Sequence, residues 1–499
     1  MSKVGTAGEL EAAGIRVETN GINVIADADR KGTPRQLFWP WFGANVSVLG
    51  LSYGSFTLAF GVSFWQAVIA GAIGIVISFL LCGFIAVAGK RGSAPTMVLS
   101  RAAFGVRGNK LPSLISWVLT VGWETVLTVL ATLATATVFG RLGWGGGTGT
   151  KVIALIVVAA LIVGGGVLGF DAIMRMQAII TVVTAVLTVV YIILVLDKIH
   201  WSTVSALPSG STQAFVGALV FLMTGFGLGW VNAAADYSRY LPRSASTRGV
   251  IGWTTFGSSV APLVLLLFGL LLAGSSKDLS SAIAGDPIGA LTSQLPTWFL
   301  VPFAIVAVLG LVGGAVLDIY SSGLALLTIG LPAPRYLAAL FDGVIMIAGT
   351  IYVVFVAKTS FLFQFEGFLI TLGVPVAAWC GVMLVDIGLR RRDYAEADLF
   401  EPRGRYGDIR PAPVLMIVLG SVVGWGLVTN ASASWLAWQG YLLDPFGLGG
   451  KAGAWAFANL GVLAALLIGI IGTLAFERSS IRAQEAGQPD RSEPAGALG

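Results

Sequence analysis

Charge is what this chain most lacks. Only 11% of its 499 residues are Asp, Glu, Lys or Arg, less than half the roughly 25% typical of soluble domains. With 56% hydrophobic residues and a mean hydropathy of +0.86, this excludes a soluble globular class. The length then counts membrane spans. Histidine occurs once, as His200 at the outer end of an apolar segment, so no histidine proton relay is available at mid-membrane. Two cysteines, Cys82 and Cys380, both fall inside apolar segments. Neither a disulfide framework nor a cysteine metal site is implied. Residues 1–36 contain no short apolar run of the kind a signal peptide needs, and the first span serves as the signal anchor. Metal-ligand clusters, nucleophile motifs and phosphate loops are missing too. Gly164, Gly165 and Gly166 lie within a span and suit close helix packing. No catalytic residue, metal or organic cofactor is expected, which argues against an enzyme.

What is present is a series of twelve apolar segments, near 37–60, 64–88, 112–139, 151–169, 173–196, 213–237, 249–273, 298–330, 335–356, 359–388, 411–430 and 452–476. Each is long enough to cross a bilayer. Of the 30 Lys and Arg, all but Arg141, Lys151, Lys198, Lys277, Lys358 and Lys451 fall in the two tails and the even-numbered loops. This asymmetry places both termini in the cytoplasm of a multi-pass plasma-membrane protein. It also accounts for the net charge of +5 without nucleic acid. The implied surroundings are a lipid bilayer and a small molecule; no protein partner is implied.

Two spans are interrupted at matching places, the first at Asn45-Val-Ser-Val-Leu-Gly-Leu-Ser-Tyr-Gly54 and the sixth at Phe221-Leu-Met-Thr-Gly-Phe-Gly-Leu-Gly-Trp230. Broken helices in corresponding positions of two halves mark the binding site of secondary transporters. Irregular backbone at that depth survives only where protein or a cavity supplies its partners. The fold expected is therefore all-α, with a five-plus-five inverted repeat broken in helices 1 and 6. The two repeats occupy 36–197 and 213–389. A cytoplasmic loop, 390–410, and two accessory helices, 411–478, follow. The tails 1–35 and 479–499 read as disordered. The loop 89–111 mixes basic and apolar residues; it forms either a short packed helix or a simple positive-inside anchor.

Two carboxylates fall mid-span, Glu124 and Asp318. An ionisable group there costs roughly 2.5–3.5 kcal/mol on insertion scales and suggests function; the alternative is a carboxyl satisfied between helices. Asp171, Asp197, Asp342 and Asp386 read as boundary residues, and Glu366 as structural. Trp123 next to Glu124, after Gly122, suits a flat heterocycle: the indole stacks the ring and the carboxylate accepts its N–H groups. Packing is the other role open to Trp123. Phe226, Gly227 and Trp230 could close the far side of a ligand, with Ser52 and Gly54 contributing from span one and Asn232 offering an amide. Asp236 and Arg239 read as a structural or gate-forming pair.

These residues carry a resemblance. Gly122-Trp-Glu124, Ala235-Asp-Tyr-Ser-Arg-Tyr240, Leu317-Asp-Ile-Tyr-Ser-Ser-Gly323 and Ser100-Arg-Ala-Ala-Phe-Gly105 resemble the nucleobase:cation symporter-1 family, in its purine/cytosine permease branch, from about residue 35 to Tyr394. The resemblance implies the leucine-transporter-type fold, alternating access, and Trp123 as the stacking residue, with Glu124 and Asp318 near substrate-contacting positions. It leaves the span-six aromatic position to Phe226, Gly227 or Trp230. Sodium-coupled members place adjacent hydroxyls in the first half of helix eight, where this chain has Val312-Gly-Gly-Ala-Val316. Only backbone carbonyls at Gly313 and Gly314 would remain for sodium. A carboxyl in hydrocarbon is favoured as the neutral acid, so Asp318 or Glu124 could carry a proton instead. The expected function is import of cytosine or a purine by cation symport, with a proton favoured over sodium. The alternatives are a proton- or sodium-coupled importer of a hydantoin, allantoin, vitamin or amino acid, and, from other classes, a membrane enzyme or a channel.

Overall fold

The computed structural model describes residues 18, 20–357, 361–430 and 434–486. Among these residues the secondary structure is helical, without strands. Nine of the described helices are long and apolar enough to cross a membrane. The remaining three expected segments are also helical. The first span is split into Phe38–Asn45 and Leu49–Leu58, while Pro411–Gly426 and Leu460–Phe476 are shorter apolar helices. These last two correct the expected 411–430 and 452–476. Their connection instead folds as an irregular cap, turned by Gly440, Gly447, Gly449 and Gly450 at positive φ, a conformation that only glycine adopts without strain.

Both breaks fall where expected, and local chemistry explains them. In span one, Asn45 Nδ2 donates to the Trp41 carbonyl at 2.8 Å, and Ser47 Oγ accepts from Leu49 N. Short polar side chains thus compete with the helix for its own backbone, and Val46 leaves helical geometry at φ −84°, ψ 68°. Span six runs as Thr212–Gly225, breaks at Phe226 (φ −114°, ψ −104°), and resumes as Gly227–Trp230 and Ala234–Ser238. Span eight, Leu300–Ile329, lies directly against the first break. A methyl at Gly310 would sit 3.0 Å from the Val46 carbonyl oxygen, and one at Gly313 3.2 Å from that of Gly43. Small residues there let an intact helix approach unwound backbone.

The loop 89–111 holds two short buried helices, Thr96–Leu99 and Arg101–Phe104, so it is a packed element and more than a charge anchor. The tails differ from expectation as well. Residues 1–17 and 19, and 487–499, lie outside the described residues. The rest of the N-terminal segment is held in place: Ile25 N donates to Ser93 O, Lys31 N to Tyr240 O, and Arg30 to Lys90 O. On the same face the terminal helix Arg478–Ala486 packs beneath the 390–410 loop. Gln484 accepts from Arg390, and Glu485 from the backbone N–H groups of Arg391 and Arg392.

Candidate functional site

The two breaks meet span three, Lys110–Arg141, and span eight at mid-depth. Trp123 is 9% exposed, Glu124 0% and Asp318 1%. Neither carboxyl has a hydrogen-bond partner on either oxygen, and Trp123 Nε1 has none. Four acceptor oxygens and one donor are therefore buried and unspent, a costly arrangement that a ligand or ion could relieve. Asp342 and Asp318 are the charged neighbours of Glu124. The nearby Ser322 hydroxyl is already donated to Asp342 at 2.8 Å.

Aromatic rings pack against Trp123. Trp123 meets Phe365 of span ten edge-on at 5.5 Å and Phe368 at 6.1 Å. Phe365 continues to Tyr53, whose ring lies 4.5 Å from Phe226. The three glycines at the span-six break face different neighbours. Gly225 receives the Tyr53 hydroxyl on its carbonyl. Gly227 donates its N–H to Ser78 Oγ and is pressed against the Ser78–Phe79 backbone of span two. Gly229 faces Trp123: a methyl there would lie 3.2 Å from the indole nitrogen.

Several expected site residues are placed elsewhere. Ser52 and Gly54 lie inside the second half-helix, beyond the break. Ser52 donates to the Pro287 carbonyl of the loop before span eight, and Gly54 touches the Gly269 backbone of span seven. Both are packing residues here, and Gly227 joins them. Trp230 stands edge-on to Trp41 at 5.7 Å. Asp236 and Arg239 do not bond each other. Asp236 accepts from Thr96 N and Oγ1 at 2.7 and 2.8 Å, whereas Arg239 turns to Tyr320, Tyr240 and Glu18. Asp342, expected at a boundary, is fully buried and accepts from Trp117 Nε1 at 2.8 Å.

The expected ion position contains a side chain that sequence reading missed. Gln177 of span five, Phe170–Val195, is fully buried and donates its amide to the Gly313 carbonyl at 2.6 Å. Its Oε1 and the Thr181 hydroxyl have no partners and crowd Gly43. The available signal was an amide two turns inside an apolar span. Among the described residues no group of three His, Cys, Asp or Glu could hold a metal ion.

A family-wide sequence pattern described as "Permease for cytosine/purines, uracil, thiamine, allantoin" matches residues 24–443. The chain belongs to this permease family. It is a multi-pass membrane transporter and not an enzyme. The permease is 26% identical over 411 residues to YxlA of Bacillus subtilis, named a purine-cytosine permease, covering 81% of this chain and 87% of that one. Purine-cytosine permease FCY2 of Saccharomyces cerevisiae is 26% identical over 287 residues, covering 55% and 50%. Among solved structures, the nucleobase-cation-symport-1 transporter MHP1, closed with bromovinylhydantoin bound, superposes with a TM-score of 0.67 at 17% identity. That match covers 94% of the permease and 99% of MHP1. A Na+-coupled sialic acid symporter follows at 0.61 and 13% identity, covering 90% and 91%. At those identities the likeness concerns the fold, which for the permease is the leucine-transporter type.

Proposed function

We propose that the permease imports a flat, nitrogen-rich base, cytosine or a purine, together with a proton. The observation that carries this is the buried Trp123–Glu124–Asp318 group, with four carboxyl oxygens and an indole N–H unspent. A neutral heterocycle offers ring and exocyclic N–H donors to the carboxylate, an acceptor to the indole N–H, and a face to the aromatic cage. The names of the relatives support the same substrate class. Gln177 supports the proton. Its amide already donates to Gly313 O, one of the carbonyls of a span-eight stretch, 312–316, that has no hydroxyl of its own to offer sodium. A proton requires no such cage, only a carboxyl that can be neutral while buried.

The test is uptake of labelled cytosine and hypoxanthine by cells expressing the permease. Uptake is expected to be saturable, to fall with a protonophore, and to ignore replacement of sodium. Competition by hydantoin or allantoin but not by bases would move the substrate assignment to that class. Sodium-dependent uptake at fixed pH would overturn the coupling assignment.

The proposed orientation puts both termini in the cytoplasm of the plasma membrane. Ser244, between spans six and seven, and Gly147, between spans three and four, are both exposed on opposite faces. A cysteine at Ser244 is expected to react with an impermeant maleimide only from inside, and one at Gly147 only from outside. The reverse pattern would invert the topology.

A further inference from the structure

The face on which the described N-terminal segment and helix Arg478–Ala486 pack contains a second polar centre, unrelated to the substrate group. Glu18 reaches into it from the N-terminal segment, with its side chain only 11% exposed. Oε1 accepts from the hydroxyls of Tyr240 at 2.5 Å and Tyr320 at 3.2 Å, and from Arg239 Nη2 at 3.4 Å. Oε2 accepts from Phe170 N at 2.8 Å and lies 3.6 Å from Arg335 Nε. Both guanidinium groups are essentially sealed from solvent, at 0% and 1% exposure.

The surroundings are shaped for a carboxylate. Phe170 N is the first N–H of span five, one of the free donors of a helix start, where an acidic group is stabilised by the helix dipole. The residue before it, Gly169, has φ +91°; a methyl there would lie 2.4 Å from Glu18 Oε2 and from its Cβ. Only glycine both makes this turn and leaves room for the incoming side chain. Arg335 is held in place by the carbonyls of Gly166 and Val167 at 2.5 and 2.8 Å. Tyr240 stacks on Phe170 at 4.0 Å. Burial pushes its phenol up to about 12, so it remains a donor at any working pH.

The structure assigns here a built carboxylate site whose ligand is the chain's own Glu18, and whose occupancy holds this face of the transporter shut. One carboxylate joins parts that alternating access must separate. The span four–five corner belongs to the first repeat, while Arg239, Tyr320 and Arg335 belong to the second. Once Glu18 leaves, the buried Arg335 and Arg239 lose its charge, and Asp236 is the other carboxylate acting on Arg239; that loss is costly. The pinned state is therefore favoured until substrate and ion binding outweigh it. This rests on the chain being an alternating-access transporter, and not on which base or ion it carries.

The test reads accessibility without substrate or gradient. Ser321 lies beside Tyr320, is 4% exposed and meets the Tyr237 hydroxyl. A cysteine at Ser321 is labelled with an impermeant maleimide applied to the face that labels S244C, with protein lacking S321C as the background. E18Q is expected to speed this labelling roughly tenfold or more. Y240F, which removes one hydroxyl and leaves the charges, is expected to give a smaller increase. T132C, in the other half of span three, should stay protected in both, which separates release of a latch from general loosening. Labelling of S321C at the parent rate in E18Q and Y240F would overturn the assignment. Should E18Q melt early, Y240F alone decides. Because no nucleobase is present, a negative result here leaves the uptake assignment standing, and a failure of uptake leaves this one standing.

Discussion

Asp318→Asn is expected to abolish pH-driven accumulation while leaving exchange of labelled for unlabelled base across the membrane. In the unmodified permease, uptake should rise as the outside pH falls from neutral and collapse with a protonophore. The sign follows from the proposed cycle. With the site open outward, lower pH fills the buried carboxyl with a proton. Neutralisation removes the cost of an unpaired charge at 1% exposure, and bound base must favour protonation to the same degree that protonation favours base. Asparagine stays neutral in every state, so the carrier still cycles loaded but no longer draws on the gradient. Asp318 is assigned the proton because Glu124, adjacent to Trp123, is the better placed of the two to hold the base. The deciding measurement pairs accumulation with counterflow in D318N. Retained pH-driven accumulation would move the proton to Glu124.

Loss of binding is expected from the neighbouring pair. Trp123→Ala should weaken base affinity by about 1–3 kcal/mol, the usual worth of one ring stacked on an aromatic platform. Trp123→Phe should retain part of it. Among the described residues Phe365 and Phe368 both meet Trp123 at steep angles, 78° and 82°, so neither lies parallel to the indole as a stacked base would. Glu124→Gln should cost roughly as much again, since a charge-assisted acceptor becomes a neutral amide with donors of its own. Calorimetry or scintillation proximity on purified protein separates these losses from transport defects. If Trp123→Ala and Trp123→Phe lose expression equally while affinity is unchanged, the indole is a packing residue.

The breaks in spans one and six were legible because glycine, serine and asparagine interrupt an apolar run, and the same chemistry breaks the helix in the fold. Glu124 and Asp318 were legible because a carboxylate in hydrocarbon needs a reason. What could not be read was direction. Ser52, Gly54 and Gly227 sit in or near the interrupted stretches, yet their contacts go to the Pro287 loop and to spans seven and two. Helical register around an irregular joint is set by tertiary packing, which a linear pattern does not encode. Asp342 misled because a charged residue near a span end usually reaches water, whereas here Trp117 and Ser322 satisfy it inside. The N-terminal segment read as disordered because its composition is polar. The order of its described part comes from partners some sixty or more residues away, among them Lys90, Ser93, Arg239 and Arg335.

The terminal helix Arg478–Ala486 has a practical consequence for handling the protein. Its last turn supplies Gln484 and Glu485, which accept hydrogen bonds from Arg390 and from the backbone of Arg391 and Arg392, and Arg410 pairs with Glu477 just before it. A purification tag spliced on before residue 484, or a protease nick at Arg478, would strip Gln484 and Glu485 from a cluster of arginines at the bilayer surface. A tag appended beyond Gly499 keeps them. Fluorescent fusions should be joined there too, and material trimmed short of Ala486 should be expected to melt earlier in detergent.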